Sequence, residues 1–180
     1  MNKRIALKIT YPALCLALAL VLPLLTGQIP QIGAALGPMH IAVFLCGFLC
    51  GWQYGLAVGF AAPLLRFAIF GMPPIYPTGI AMAFELAAYG LVSGLLYKLF
   101  PKKVGYVYLS QITAMVAGRI VWGLARLVIA GLAGTEFPFS TFLIGGFADA
   151  LPGILLQIIL LPPLFIVLQN AGKAKMDCEG

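Results

Sequence analysis

Six apolar segments, of which the second is short, alternate along the chain with segments rich in polar residues, glycine or proline. Several apolar runs approach about 20 residues, the length that an α-helix needs to cross the hydrocarbon core of a bilayer. The pattern predicts an all-α polytopic membrane protein with six transmembrane helices at residues 5–25, 39–50, 54–70, 78–100, 106–132 and 141–168. We expect one membrane domain over residues 1–180, with a polar tail at about residues 169–180.

The connections between the predicted spans contain residues that end helices. Residues 27–38 form a glycine- and proline-containing loop, and Gly51-Trp52-Gln53 predicts a tight turn. Residues 71–77 carry three prolines, which remove backbone donors and restrict the residues before them, so this segment cannot be a regular helix. The first apolar run follows basic residues, as in a signal peptide, but it is too long for one and has no small-residue cleavage site. We expect it to be retained as the first span.

Composition supports the membrane assignment and excludes other classes. Apolar residues make up 62% of the chain and charged residues only 9%, whereas a soluble domain carries about 25% charged residues. An ordinary cytosolic enzyme, a disordered protein and a nucleic-acid-binding domain are therefore excluded. The sequence has no phosphate-binding loop and no catalytic signature, so we expect no enzyme activity and no cofactor. Energy for uphill transport would have to come from another subunit or from an ion gradient.

The basic residues outside the spans indicate the orientation of the chain. With six spans they all fall on one side, at the two ends of the chain and in the connection between spans 4 and 5: Lys3, Arg4, Lys8, Lys98, Lys102, Lys103, Lys173 and Lys175. The connections after spans 1, 3 and 5 contain no Lys or Arg. The positive-inside rule then places both termini in the cytoplasm.

Five charged residues lie inside the predicted spans: Arg66, Glu85, Arg119, Arg126 and Asp149. Each would cost about 2.5–3.5 kcal/mol if it stayed ionised and unpaired at the centre of the bilayer. They must therefore be paired, lie near an interface, or line a wet cavity. At a rise of about 1.5 Å per residue, all but Arg119 share one level, roughly 8–12 Å below the outer surface.

Two interpretations of these charges remain open. In the first, they line an outward-opening polar pocket; Trp122 lies beside Arg119 and Arg126 on one helix face, and Tyr89 shares a face with Glu85. In the second, Arg66–Glu85 and Arg126–Asp149 are pairs that only fix helix packing. The pocket would hold three positive and two negative charges, which favours a ligand with a carboxylate.

Three further features bear on this pocket and on partners. His40 opens span 2 directly after Leu36-Gly37-Pro38-Met39. It is either a helix-end residue without contact to a ligand or part of a lid, since the stiff loop at Gly37 and Pro38 could fold over the pocket mouth. Glycine pairs spaced four residues apart predict close packing between spans, whereas Ala13 and Ala17 on span 1 form a small-residue face that could bind another membrane subunit.

The four cysteines, Cys15, Cys46, Cys50 and Cys178, are interpreted as small apolar packing residues rather than a metal or redox site. Cys46 and Cys50 share a helix face, but a metal site needs more ligands close by.

The chain resembles the substrate-binding S-components of energy-coupling factor (ECF) vitamin transporters over nearly its whole length. The resemblance is carried by Leu36-Gly37-Pro38-Met39-His40, by the run from Gly71-Met72-Pro73-Pro74 to Ala83-Phe84-Glu85-Leu86, and by residues 145–153. It implies a subunit of the bacterial plasma membrane that binds a vitamin or precursor and has no ATPase of its own. Its partners would be a transmembrane coupling subunit, bound through Ala13 and Ala17, and two cytosolic ATPases.

The resemblance also implies a ligand site in the outer halves of spans 4 to 6. Together with the charge analysis, it predicts these substrate-binding residues: Glu85, Tyr89, Trp122, Arg119, Arg126, Asp149 and, in the lid, His40. The branch assigned to pantothenate is the most similar, and nicotinate or a pyridoxal-type ligand also fits. The alternatives are a stand-alone proton-coupled transporter or channel and, with no residues to nominate, a membrane-embedded enzyme.

Overall fold

The computed structural model describes residues 3–26, 37–135 and 137–170, which are helical with short connections and contain no strand. The α-helices are α1 (Lys3–Val21), α2 (Pro38–Cys50), α3 (Trp52–Phe70), α4 (Ile80–Leu99), α5 (Val104–Leu132), α6 (Phe139–Leu143) and α7 (Leu151–Asn170). The predicted loop at residues 27–36, Glu136 and the tail from residue 171, including Cys178, lie outside the described residues.

Four helical segments are long and apolar enough to cross a membrane: Trp52–Phe70, Ile75–Leu99, Val104–Leu132 and Phe139–Gln169. Two shorter apolar helices, Lys8–Leu24 and Pro38–Cys50, complete the six that the sequence predicts. The all-helical, membrane-compatible architecture is confirmed. Passage of all six helices through the bilayer and the cytoplasmic location of both termini stay predictions.

Glycine and proline place the helix ends close to where the sequence predicts them. Gly37 has a φ of 53° directly before Pro38, and Gly71 ends α3 with a φ of 70°, a conformation that residues with a Cβ rarely adopt. The predicted turn at residues 51–53 is shorter than expected. Gly51 alone, with a φ of 90°, reverses the chain, and Trp52 already belongs to α3.

The sixth predicted span is interrupted rather than continuous. The short helix α6 leads into a π-helical turn, Ile144–Ala148, and α7 begins at Leu151. The interruption comes before Pro152, which lies in the first turn of α7, where its missing N–H breaks no helical hydrogen bond. The turn packs against α5: a Cβ on Gly145 would lie 3.3 Å from the ring of Trp122.

The glycines of α2, α3 and α4 pack these helices backbone to backbone, as predicted. A Cβ on Gly55 would lie 2.6 Å from the carbonyl oxygen of Gly90, and a Cβ on Gly94 would lie 2.6 Å from the backbone nitrogen of Trp52. Neither contact leaves room for a side chain. Another part of α4, which carries Glu85 and Tyr89, is buried as well.

Helix α1 has an inner and an outer face. Cys15 and Ala19 are buried in the core, whereas Ala13 and Ala17 are exposed. The small-residue face of α1 is therefore not used for packing within the described part of the chain.

Candidate functional site

The carboxylate of Glu85 is the centre of a buried polar cluster between α2, α4 and α5. Its Oε1 accepts a hydrogen bond of 2.7 Å from the hydroxyl of Tyr89 and lies 2.9 Å from Nη1 of Arg119. Nε2 of His40 lies 3.7 Å from the same oxygen. Glu85 is only 2% exposed, so the Arg119 guanidinium and the Tyr89 hydroxyl replace the water that an ionised carboxylate would otherwise need.

Glycine at position 118 allows this cluster to form. A Cβ on Gly118 would overlap the ring of Tyr89, so the absence of a side chain lets the ring lie flat against α5. The same ring stacks on Phe44 of α2, with centroids 5.1 Å apart. The tyrosine hydroxyl is thereby held between three helices at the position where it meets Glu85.

The left-handed turn at Gly37 positions His40 against the cluster. Nδ1 of His40 lies 3.0 Å from the carbonyl oxygen of Gly37, and Nε2 of Gln157 on α7 donates to the same oxygen over 3.4 Å. Because a carbonyl only accepts, Nδ1 carries a proton here, and Nε2 is directed towards Glu85. A Cβ on Gly37 would lie 2.6 Å from Nδ1, so only glycine fits this turn.

Arg126 lies two helical turns from Arg119 on α5, in an aromatic group with Trp122, Phe137 and Phe142. Its Cζ is 5.5 Å from the ring centroid of Phe137 and 6.0 Å from that of Trp122, distances at which a cation is attracted to the face of a ring. The rings of Trp122 and Phe142 are 6.3 Å apart. The structure thus brings an arginine and three aromatic rings together near the C-terminal end of α5.

Several buried nitrogen atoms in these two groups have no hydrogen-bond partner among the described residues. They are Nε of Arg119, Nε of Arg126 and Nε2 of His40. For the two arginine Nε–H groups, a buried donor without an acceptor costs about 1–3 kcal/mol, which an incoming oxygen atom would recover. Nε2 of a neutral His40, whose Nδ1 donates to Gly37, is an acceptor instead. Within the described residues, Arg119 has a carboxylate partner in Glu85, whereas no carboxylate lies within ion-pair distance of Arg126.

Two predicted pairings are wrong. Glu85 pairs with Arg119 rather than with Arg66, and Nη1 of Arg66 instead donates over 2.6 Å to the carbonyl oxygen of Leu20, in the last turn of α1. The guanidinium of Arg66 also lies over the ring of Phe70, 5.1 Å from its centroid. Arg66 therefore connects α3 to the first helical segment and does not belong to the cluster.

The second wrong pairing is Arg126–Asp149. Asp149 is exposed at the end of the π-helical turn and forms no ion pair among the described residues. We expected Arg66, Glu85, Arg126 and Asp149 at one common level. The structure does not bring these four residues together as one group of charges. Asp149 follows the π-helical turn directly, whereas its expected level assumes a regular helix in this part of the sixth span.

Sequence reasoning brought most of the site residues to attention but missed Phe137, Phe142 and Gln157. Phe137 follows a polar loop residue and gave no periodic signal. The partner of Phe142 is Gly123 on α5, where a Cβ would overlap the Phe142 ring. The glycines at 118 and 123, five residues apart on α5, were the available signal that bulky rings from other helices pack there.

A protein-family model described as "ECF transporter, substrate-specific component" matches residues 7–165 of the chain. No curated protein and no solved structure matches it at a significant level.

Proposed function

Since the chain belongs to the substrate-specific components of energy-coupling factor transporters, a multi-pass membrane family of substrate-binding subunits and not of enzymes, we propose that it captures a small water-soluble vitamin or precursor that carries a carboxylate. Pantothenate is the first candidate. The substrate would enter from the outer side, and partner subunits would drive its uptake with ATP.

The pair of arginines on one face of α5 is the observation that carries this proposal. Glu85 offsets the charge of Arg119, while the guanidinium of Arg126 lies among aromatic rings, and its Nε has no hydrogen-bond partner among the described residues. A guanidinium binds a carboxylate through two parallel hydrogen bonds and is weakly hydrated, so it suits an anion in a site partly closed to water. The rings of Trp122 and Phe137 supply apolar surface for the rest of a small ligand.

The deeper Glu85 cluster would complete the site on its other side. Arg119 offers its Nε donor, and the Glu85 carboxylate, the Tyr89 hydroxyl oxygen and Nε2 of a neutral His40 accept from a ligand hydroxyl or amide. A ligand with an anionic end near Arg126 and a hydroxyl- or amide-bearing part near Glu85 uses both groups. This combination supports pantothenate over a ligand that carries only an acid group on a ring. Asp149 is exposed, so a contact between Asp149 and the ligand has less structural support than contacts of the other predicted residues.

The partners implied by the family are a transmembrane coupling subunit and ATPase subunits. The exposed small-residue face of α1, with Ala13 and Ala17, is proposed as the surface that meets the coupling subunit. Small residues let two helix backbones approach closely in a lipid environment, where apolar burial gives no driving force between helices.

Ligand binding to the isolated chain tests the proposal. Mass spectrometry of the purified protein should detect a co-purified carboxylate-bearing vitamin, and calorimetry should compare pantothenate with nicotinate. Replacing Arg126 by Ala should weaken binding by about 1.5–3 kcal/mol, the value of a hydrogen bond to a charged group, or roughly 12- to 160-fold. Lys98→Ala is the matched control, because it removes the same charge from an exposed site at the end of α4.

Equal affinity of a folded Arg126→Ala variant and the unchanged chain would remove Arg126 from the site. Transport separates the proposal from the alternative of a proton-coupled transporter, for which the buried Glu85, Tyr89 and His40 would be the relay. Liposomes that contain the chain alone should show binding without accumulation. Accumulation that collapses with the proton gradient would support the alternative instead.

A further inference from the structure

Three cysteine thiols from two helices meet in the core, away from the polar cluster. Cys15 of α1 and Cys46 and Cys50 of α2 place their Sγ atoms within 4.8 Å of one another. All three are buried, with exposures of 4%, 0% and 1%, and none is in a disulfide. The sequence predicts packing residues here because it shows only Cys46 and Cys50 together, and the close approach of α1 to α2 supplies the third thiol.

We propose that this three-thiol cluster binds one soft, thiophilic metal cation of the Cu(I) class. Three sulfur ligands at about 2.3 Å from one ion in a trigonal plane lie roughly 4.0 Å from each other. The thiols of the cluster, all within 4.8 Å, therefore need to move by less than about 1 Å each to surround an ion. Cys46 and Cys50 lie one helical turn apart, which fixes two of the ligands on one rigid element.

The number and kind of ligands decide the class of metal. Structural zinc sites are almost always four-coordinate, while the cluster offers three metal-ligating side chains among the described residues. Hard cations such as Mg²⁺ and Ca²⁺ require oxygen ligands, which the cluster lacks. Soft thiolate ligands select Cu(I), which does not require a fourth donor.

The surroundings of the cluster also favour a soft monovalent cation. The three cysteines belong to one buried hydrophobic core, whose members also include Ala19 and Ala42. A metal bound there must lose its hydration shell, and a weakly hydrated soft cation loses less than a hard one. Each thiol that binds the ion releases its proton to solvent, because the thiolate is the ligand, and the cation offsets one of the negative charges that this leaves in the core.

Copper titration of the full chain tests the site. The protein is purified in detergent without oxygen and titrated with Cu(I) in competition with the chelator bicinchoninate. We expect one copper ion to be retained per chain, with only sulfur neighbours, about three at roughly 2.3 Å by X-ray absorption. Cys15→Ala, Cys46→Ala and Cys50→Ala should each weaken retention on the order of tenfold or more. Cys178→Ala, the fourth cysteine, is the matched control and should leave retention unchanged.

Three results would overturn the proposal. The chain could retain no more Cu(I) than the triple variant of the cluster, Cys178→Ala could lose as much copper as the cluster variants, or nitrogen and oxygen neighbours could dominate the absorption spectrum. Each variant is first compared with the unchanged chain by size-exclusion chromatography. If one does not fold, the X-ray absorption spectrum of the unchanged chain still decides the ligand set.

Discussion

The buried ion pair of Glu85 and Arg119 can be tested by removing one charge at a time. Glu85→Gln keeps the size of the side chain and an oxygen that can accept from the Tyr89 hydroxyl, but it leaves the Arg119 guanidinium without its carboxylate. Arg119→Met removes the opposite charge and strands the carboxylate instead. In both cases one buried charge stays behind without compensation.

The structure sets the expected size of this effect. The ion pair joins Oε1 and Nη1 over 2.9 Å, and the two side chains are only 2% and 12% exposed. Removing one partner of such a buried pair costs about 3–5 kcal/mol, mainly because the remaining charge is desolvated. For a chain of this length, roughly 2–4 °C of melting temperature correspond to each kcal/mol, so we expect a decrease of about 6–20 °C.

Thermal unfolding in detergent, followed by tryptophan fluorescence, measures the decrease. Asp149→Asn is the matched control: it also removes one carboxylate charge, but Asp149 is exposed and has no ion-pair partner among the described residues. We expect the control to change stability by no more than about 0.5 kcal/mol. In the double variant Glu85→Gln/Arg119→Met no charge is stranded, and most of the lost stability should return.

Two results would refute this reasoning. The first is a Glu85→Gln variant that melts at the same temperature as Asp149→Asn, which would mean that the pair is hydrated and contributes little. The second is an additive double variant, in which the two losses of melting temperature simply sum. Additivity would show that Glu85 and Arg119 do not interact. When two residues interact directly, the stability loss of the double variant differs from the sum of the two single losses by about 0.5–3 kcal/mol.

Three further predictions follow from the packing. Gly90→Ala should destabilise the chain by at least about 1–3 kcal/mol in thermal unfolding, because the new methyl group meets the backbone of α3, whereas Gly131→Ala, which has open space, should be neutral or slightly stabilising. Ala13→Leu/Ala17→Leu should leave ligand affinity unchanged but prevent co-purification with the coupling subunit; normal co-purification would contradict the proposed docking face. Arg66→Ala should lower the melting temperature without changing ligand affinity, and a loss of affinity would place Arg66 in the site.

The helical pattern of the chain was largely predictable because its causes are local. Apolar length determines which segments can be membrane helices, and glycine and proline determine where they end. The predicted and observed boundaries of the second to fifth helices therefore agree within about two residues. The interruption near Gly145 and Gly146 was missed, since it depends on the packing of this turn against Trp122 of another helix.

The candidate site was only partly predictable. Charged residues in an apolar span are conspicuous in any sequence, so Glu85, Arg119 and Arg126 could be selected from the cost of burying them. Estimates of depth placed Arg66 and Asp149 at the level of Glu85 and Arg126, but depth carries no information on the direction in which a side chain points around its helix axis. In the structure Glu85 forms an ion pair with Arg119, and Asp149 is exposed.

The sequence by itself determined that this chain is a bundle of apolar helices with a few buried charges that need partners. Which partners meet was decided only by the tertiary structure, because the glycine contacts between α3 and α4 and the approach of α1 to α2 set the rotation and spacing of whole helices. The ion pair of Glu85 with Arg119 and the approach of Cys15 to Cys46 and Cys50 both join residues that are distant in the chain. No local pattern encodes such a rotation, since it depends on the summed packing of side chains along several helices at once.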